Sequence, residues 1–96
     1  MELNSKNRAK LRAMANGLPV VLYIGKDGIT DATIKEVYDL LNARELIKCS
    51  VQQNAPLTAR EACTVLCEKQ NAQPVQVIGS KFVIYRRNDK EPKIQL

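Results

Sequence analysis

The stretch that most constrains this chain is an apolar run that passes through a glycine turn into an amphipathic helix and then a second strand. Val20-Val21-Leu22-Tyr23-Ile24 has no charged or strongly polar residue and is rich in β-formers, the pattern of a strand buried on both faces. Gly25-Lys26-Asp27-Gly28 ends it. Beyond the turn the period becomes helical: Ile34, Val37, Tyr38 and Leu41 follow the 0, 3, 4, 7 spacing of a core-facing stripe. Thr30 is a suitable N-cap, and Asp31 complements the positive helix end. Leu46–Val51 then alternates, with Ile47, Cys49 and Val51 on one face and Lys48 and Ser50 on the other. Such a strand–helix–strand unit pairs its strands in parallel through a right-handed crossover.

The flanks extend the pattern. Asn4–Asn16 predicts a helix, capped by Asn4 or Ser5 and closed by Gly17 in the left-handed conformation, with Pro19 preventing continuation. Its apolar stripe is thin (Leu11, Met14, Ala15), and Lys6, Lys10 and Arg12 lie off it. Thr58-Ala59-Arg60-Glu61 is a capping box opening a helix to about Gln70 that buries Ala59, Ala62, Cys63 and Leu66. Pro74 opens a third strand over Val75–Ile78, Gly79-Ser80 suits a two-residue hairpin, and Phe82–Arg86 is a fourth strand. Residues 88–96 are polar and are expected to be a loose tail. The order α-β-α-β-α-β-β predicts a two-layer α/β sandwich with a mixed, four-stranded sheet whose last strand is antiparallel. Residues 1–96 fit a single domain.

Composition narrows the chemistry. The chain has no histidine, which removes Ser/His/Asp and Cys/His catalysis and most zinc sites. Cys49, Cys63 and Cys67 are too few for a disulfide framework; they are expected to be reduced, buried and metal-free. No apolar run spans a membrane, and Met1–Lys6 shows no secretory signal, so a cytoplasmic setting is expected. Fifteen basic residues against ten acidic leave a net charge of +5. The excess sits at the two ends: Lys6, Arg8, Lys10, Arg12 and Lys26 stand against Glu2, and Lys81, Arg86, Arg87, Lys90 and Lys93 against Asp89 and Glu91. Like charges gathered by a fold point to an anionic partner, although solubility alone is a second reading.

The Gly25–Gly28 turn is the main candidate site. Its glycines would let a phosphate approach, amides from about Gly28 to Asp31 would point at it, and Lys26 would add a charge-assisted contact. Turn geometry alone is the competing reading. Tyr23, Tyr38 and Tyr85 read as core rather than stacking platforms, and Glu36, Asp39 and Glu45 as a solvated helix face. Arg86 ends the last strand and is open to either a phosphate contact or a solvated strand end.

Several separated stretches together resemble the bacterial YhbY-like, single-domain members of the CRM (chloroplast RNA splicing and ribosome maturation) family. They are the basic opening helix with Lys6, Arg8 and Leu11; Pro19-Val20-Val21 leading into Ile24-Gly25-Lys26-Asp27-Gly28-Ile29-Thr30; Glu45-Leu46-Ile47-Lys48; Val75-Gln76-Val77-Ile78-Gly79; and Tyr85-Arg86. Asp27 departs from the family pattern by putting an acid inside the GxxG loop, as does Asn16, where the family often has a histidine. The resemblance implies a fold like the C-terminal domain of translation initiation factor three, with sheet order 1-2-4-3. It further implies a non-enzymatic RNA-binding protein without cofactors, associated with precursors of the large ribosomal subunit. The RNA-contacting residues would be Gly25, Lys26, Asp27, Gly28 and Thr30 of the loop with Lys6, Arg8, Lys10, Arg12 and Arg86 around it. An adaptor on ribosomal particles, or a general nucleic-acid-coating protein similar to Alba, are the alternative readings.

Overall fold

Seven elements follow the expected order in the computed structural model, which describes residues 3–96: α1 (Ser5–Ala15), β1 (Val20–Ile24), α2 (Asp31–Arg44), β2 (Leu46–Val51), α3 (Ala59–Gln70), β3 (Gln73–Ile78) and β4 (Lys81–Tyr85). Met1 and Glu2, part of the stretch read for a targeting signal, lie outside the described residues. The helices begin where local chemistry starts them. Asn4 accepts from the Asn7 amide, and Thr58 and Glu61 cap each other reciprocally. Thr30 does the same with Thr33.

The sheet order is β1-β2-β4-β3. β1 and β2 are parallel, and β4 is antiparallel to both β2 and β3. Gly79, at φ 59°, sets the hairpin that pairs Ile78 with Lys81. Pro74 sits in the edge strand β3, where a missing N–H is tolerated.

Strand alternation divides the core in two. On one face Leu22, Ile24, Ile47, Cys49, Phe82 and Ile84 pack under Val37 and Leu41 of α2 and Ala62, Cys63 and Leu66 of α3. On the other face α1 lays Leu11 and Ala15 on Leu46, Val75, Val83 and Tyr85. The sheet with α2 and α3 forms the two-layer sandwich, and α1 covers part of the outer sheet face.

Four local expectations change. β1 is an edge strand rather than one buried on both faces, and its Tyr23 is 62% exposed. Apolarity marked the strand, but its neighbours decided its burial. Gly17 is not left-handed; α1 ends in a tight turn with the Gly17 amide on the Met14 carbonyl and Leu18 on Ala15. Of the expected α2 stripe, Val37 and Leu41 are buried, whereas Tyr38 is 51% exposed.

The fourth change is the largest. Glu45 is not on a solvated face: it is 0% exposed, at φ 65°, immediately after α2. Its carboxylate accepts from the Asn88 amide at 2.6 Å and from the Lys93 and Ile94 amides at 2.7 Å each. The tail expected to be loose is therefore bound through residue 94, and Ile94 packs against the outer-face core.

All three cysteines are free; Cys49 and Cys63 are buried as expected, while Cys67 is only half-buried because it lies at the side of the α3 stripe. Burial pushes the Cys49 thiol up from 9.0 to about 12, with Cys63 and Glu36 adding smaller contributions. The native state thus keeps a proton that the unfolded chain releases above about pH 9. Stability contributed by this thiol should be full below that pH and be lost between 9.0 and about 12, at roughly 1.4 kcal/mol per pH unit at most. Urea titrations at rising alkaline pH, compared between the native protein and Cys49→Ala, measure it; parallel pH profiles would remove the effect.

Candidate nucleic-acid interface

The Gly25–Gly28 loop joins the end of β1 to the cap of α2. It closes on itself, since the Gly28 amide donates to the Gly25 carbonyl at 3.0 Å. Gly28 is buried at φ 67°, and a Cβ there would lie 3.1 Å from Cγ of Pro56. A Cβ on Gly25 would meet Oε1 of Gln52 at 2.8 Å. At Gly28 the missing side chain would therefore point into the protein, whereas at Gly25 it would meet the end of the exposed Gln52 side chain. The glycines let the turn pack on residues 52–57, a structural reason for this spacing.

The amides are also fewer than expected. Gly28 N–H is used in the turn, and the Thr30 amide donates to Oγ1 of Thr33 at 3.2 Å, with the Thr33 amide returning the bond. A helix start has four amides without intrahelical partners. The capping box takes those of Thr30 and Thr33, leaving those of Asp31 and Ala32. Beside the cap, Tyr23, Gly25, Lys26, Asp27, Gly28, Thr30, Thr33, Gln52 and Asn54 line an open cleft of about 540 Å³. Lys26 and Asp27 stand exposed at its rim. The positive charge of Lys26 is offset by Asp27 and Asp31, so the loop alone is a weak anion site.

The stronger charge lies on the outer face. α1 carries Lys6, Arg8, Lys10 and Arg12 and no acid. The only charged residues in the four strands are Lys48 and Lys81. Strand register puts both on the α1 side, because Lys48 opposes Val83 and Lys81 opposes Ser50. On the opposite side, α2 holds three acids against two bases, and α3 two against two. The fold thus sorts charge: helix and strand bases without acids on one face, a near-neutral mixture on the other. Lys6 and Lys10 are exposed and Arg12 is half-buried. Nε of Arg8 donates to the Pro74 carbonyl at 3.2 Å, tying α1 to β3.

Arg86 is not part of this surface. Its guanidinium donates to the carbonyl of Gln70 at 3.0 Å and to Oδ1 of Asn42 at 2.8 Å. It lies over the Tyr38 ring at 5.0 Å. Gln70 in turn donates to the Ile34 carbonyl at 2.9 Å. This clasp joins β4 to the later turns of α2 and α3, with Asn42 about 18 Å along α2 from the cap at Thr30. Both Nη groups of Arg86 are thus engaged within the protein, which gives the residue a structural role.

A profile of the CRS1/YhbY (CRM) domain matches residues 3–86. The chain belongs to the CRM domain family. It is 35% identical over 94 residues to Probable RNA-binding protein YqeI of Bacillus subtilis (strain 168), with 98% of each chain aligned. It is 33% identical over 94 residues to an RNA-binding protein of Haemophilus influenzae, covering 98% of this chain and 94% of that one. The solution structure of the hypothetical protein SAV1595 from Staphylococcus aureus matches with a TM-score of 0.75 at 41% identity, over 88% of each chain.

Two residues of this CRM domain escaped sequence reasoning. Glu45 carries no local signal of burial, since its partners arrive 43 to 49 residues later. Tyr23 sits in an apolar run that suits a core residue, yet it lines the loop cleft.

Proposed function

We propose that this CRM domain is a non-enzymatic RNA-binding protein that holds backbone phosphates across its outer face. The observation that carries this reading is the sorting of charge: α1 and the strands present bases without acids on one side of the sheet. Polyanions bind such a face by counterion release. The loop adds Lys26 and the Asp31 and Ala32 amides, a helix start that favours anions. The names of its relatives agree with RNA as the ligand. The chemistry of catalysis is poorly supplied, because histidine, the usual base for a thiol or hydroxyl nucleophile, is absent. The family resemblance directs the reading to ribosomal RNA of large-subunit precursors in the cytoplasm.

Phosphate contacts position RNA without reading its sequence. Affinity should therefore fall steeply with salt. Neutralising about four phosphates gives a log–log slope of about −3 on single strands. Titration of a single-stranded ribosomal RNA fragment at several salt concentrations measures the slope, and a value near zero would overturn the phosphate grip. Duplex DNA bound as tightly as RNA would favour a general coating protein instead.

A further inference from the structure

The outer sheet face is only half covered. α1 lies over Leu46, Val83, Val75 and Tyr85. The last row of the sheet, beside the loop, stays open. Register defines that row: Tyr23 opposes Ser50, Ser50 opposes Lys81, and Lys81 opposes Ile78. Opposed residues share a face. The row crosses all four strands, about 14 Å at ordinary strand spacing. Its two ends are exposed rings and chains, Tyr23 at 62% and Ile78 at 63%. Lys81 is exposed between them, and Lys48 lies one row below on the same face.

We infer that this row is where unpaired bases rest. A nucleotide held in the loop cleft beside Lys26 and Thr30 has Tyr23 on the wall of the same cleft. Its base stacks on the phenol ring. The strand then runs across the sheet, where Lys81 and Lys48 meet further phosphates and Ile78 offers an apolar contact. The charge of the row favours RNA over a protein partner, because the strands carry two lysines and no acid. Apolar protein partners would need no such bias. Paired RNA keeps its bases stacked inside the helix and has none to give the ring, so the ligand class is single-stranded RNA or a loop. This inference rests on the RNA-binding reading above and adds a base contact to it.

The test uses a twelve-nucleotide oligouridine and a hairpin-free RNA duplex of equal phosphate number, titrated with the native protein, Tyr23→Phe and Tyr23→Ala. Melting curves for each protein check folding; Tyr23 is largely exposed, so both variants should melt close to the native protein. Tyr23→Ala should weaken oligouridine binding about tenfold and leave duplex binding unchanged, while Tyr23→Phe keeps the native affinity. Equal affinity of Tyr23→Ala and native protein for oligouridine overturns the stacking role and leaves the phosphate grip standing. Equal losses on both RNAs also overturn it. Failure of the native protein to bind either RNA at low salt overturns both readings together.

Discussion

Replacing Glu45 by Ala should cost about 3 kcal/mol, lowering the melting temperature by about 15 °C. The carboxylate accepts three backbone amides from residues 88, 93 and 94 at 2.6 to 2.7 Å while fully buried. Hydrogen bonds to a charged group are each worth about 1.5–3 kcal/mol, but the tail amides regain water when the tail lifts off, so the sum is reduced. Glu45→Gln keeps the shape and one good acceptor and should fall between. Glu45→Gly separates a second contribution, the left-handed backbone at φ 65°. Glycine adopts that conformation without strain and should be about 1 kcal/mol more stable than alanine there. Urea denaturation gives the energies, and amide exchange gives the mechanism: the Lys93 and Ile94 amides should lose protection in Glu45→Ala. A loss below about 0.5 kcal/mol would mean that the tail contributes nothing measurable.

Removing Lys6, Lys10 and Arg12 together should weaken RNA binding about 100-fold at low salt and flatten the salt slope by about 2. Each side chain stands off the apolar stripe of α1, whose buried contacts are Leu11 and Ala15. The triple alanine variant should therefore fold normally, and alanine is itself a strong helix former. Arg8→Ala is the informative companion. Its bond to the Pro74 carbonyl makes it partly structural, so it should affect stability as well as affinity. Filter binding across a salt series, with melting curves in parallel, distinguishes the two. Unchanged affinity in the triple variant would remove α1 from the interface.

Local chemistry accounts for what could be read in advance. The Thr58–Glu61 capping box, the Gly79 hairpin and the alternation of β2 each depend on residues within a few positions, and each forms as expected. The outcome differs where a residue answers to distant chain. Tyr23 lies in a run whose apolarity suits a central strand, yet β1 pairs on one side only. Arg86 carries a charge that suits a phosphate, but Gln70 and Asn42 reach it first. Glu45 follows α2 with neither glycine nor asparagine to announce a left-handed turn. The side of the sheet taken by α1 was equally hidden, since Leu11 and Ala15 would suit either face. At the loop, the glycine spacing also has a packing reason that local sequence does not reveal, because a Cβ on Gly28 would crowd Pro56 and one on Gly25 would meet Gln52.

The bond between Glu45 and the tail also sets an order of events during synthesis. Translation delivers the carboxylate first and its amide partners 43, 48 and 49 residues afterwards. Every strand and helix has been made by Tyr85, before any of those partners exists. A nascent chain halted there holds all of its sheet but must keep the acid hydrated, which opposes closure of the core around Leu46 and Tyr85. Residues 88–94 act as a late latch, so the finished packing of α1 on the sheet becomes available only after they have been made.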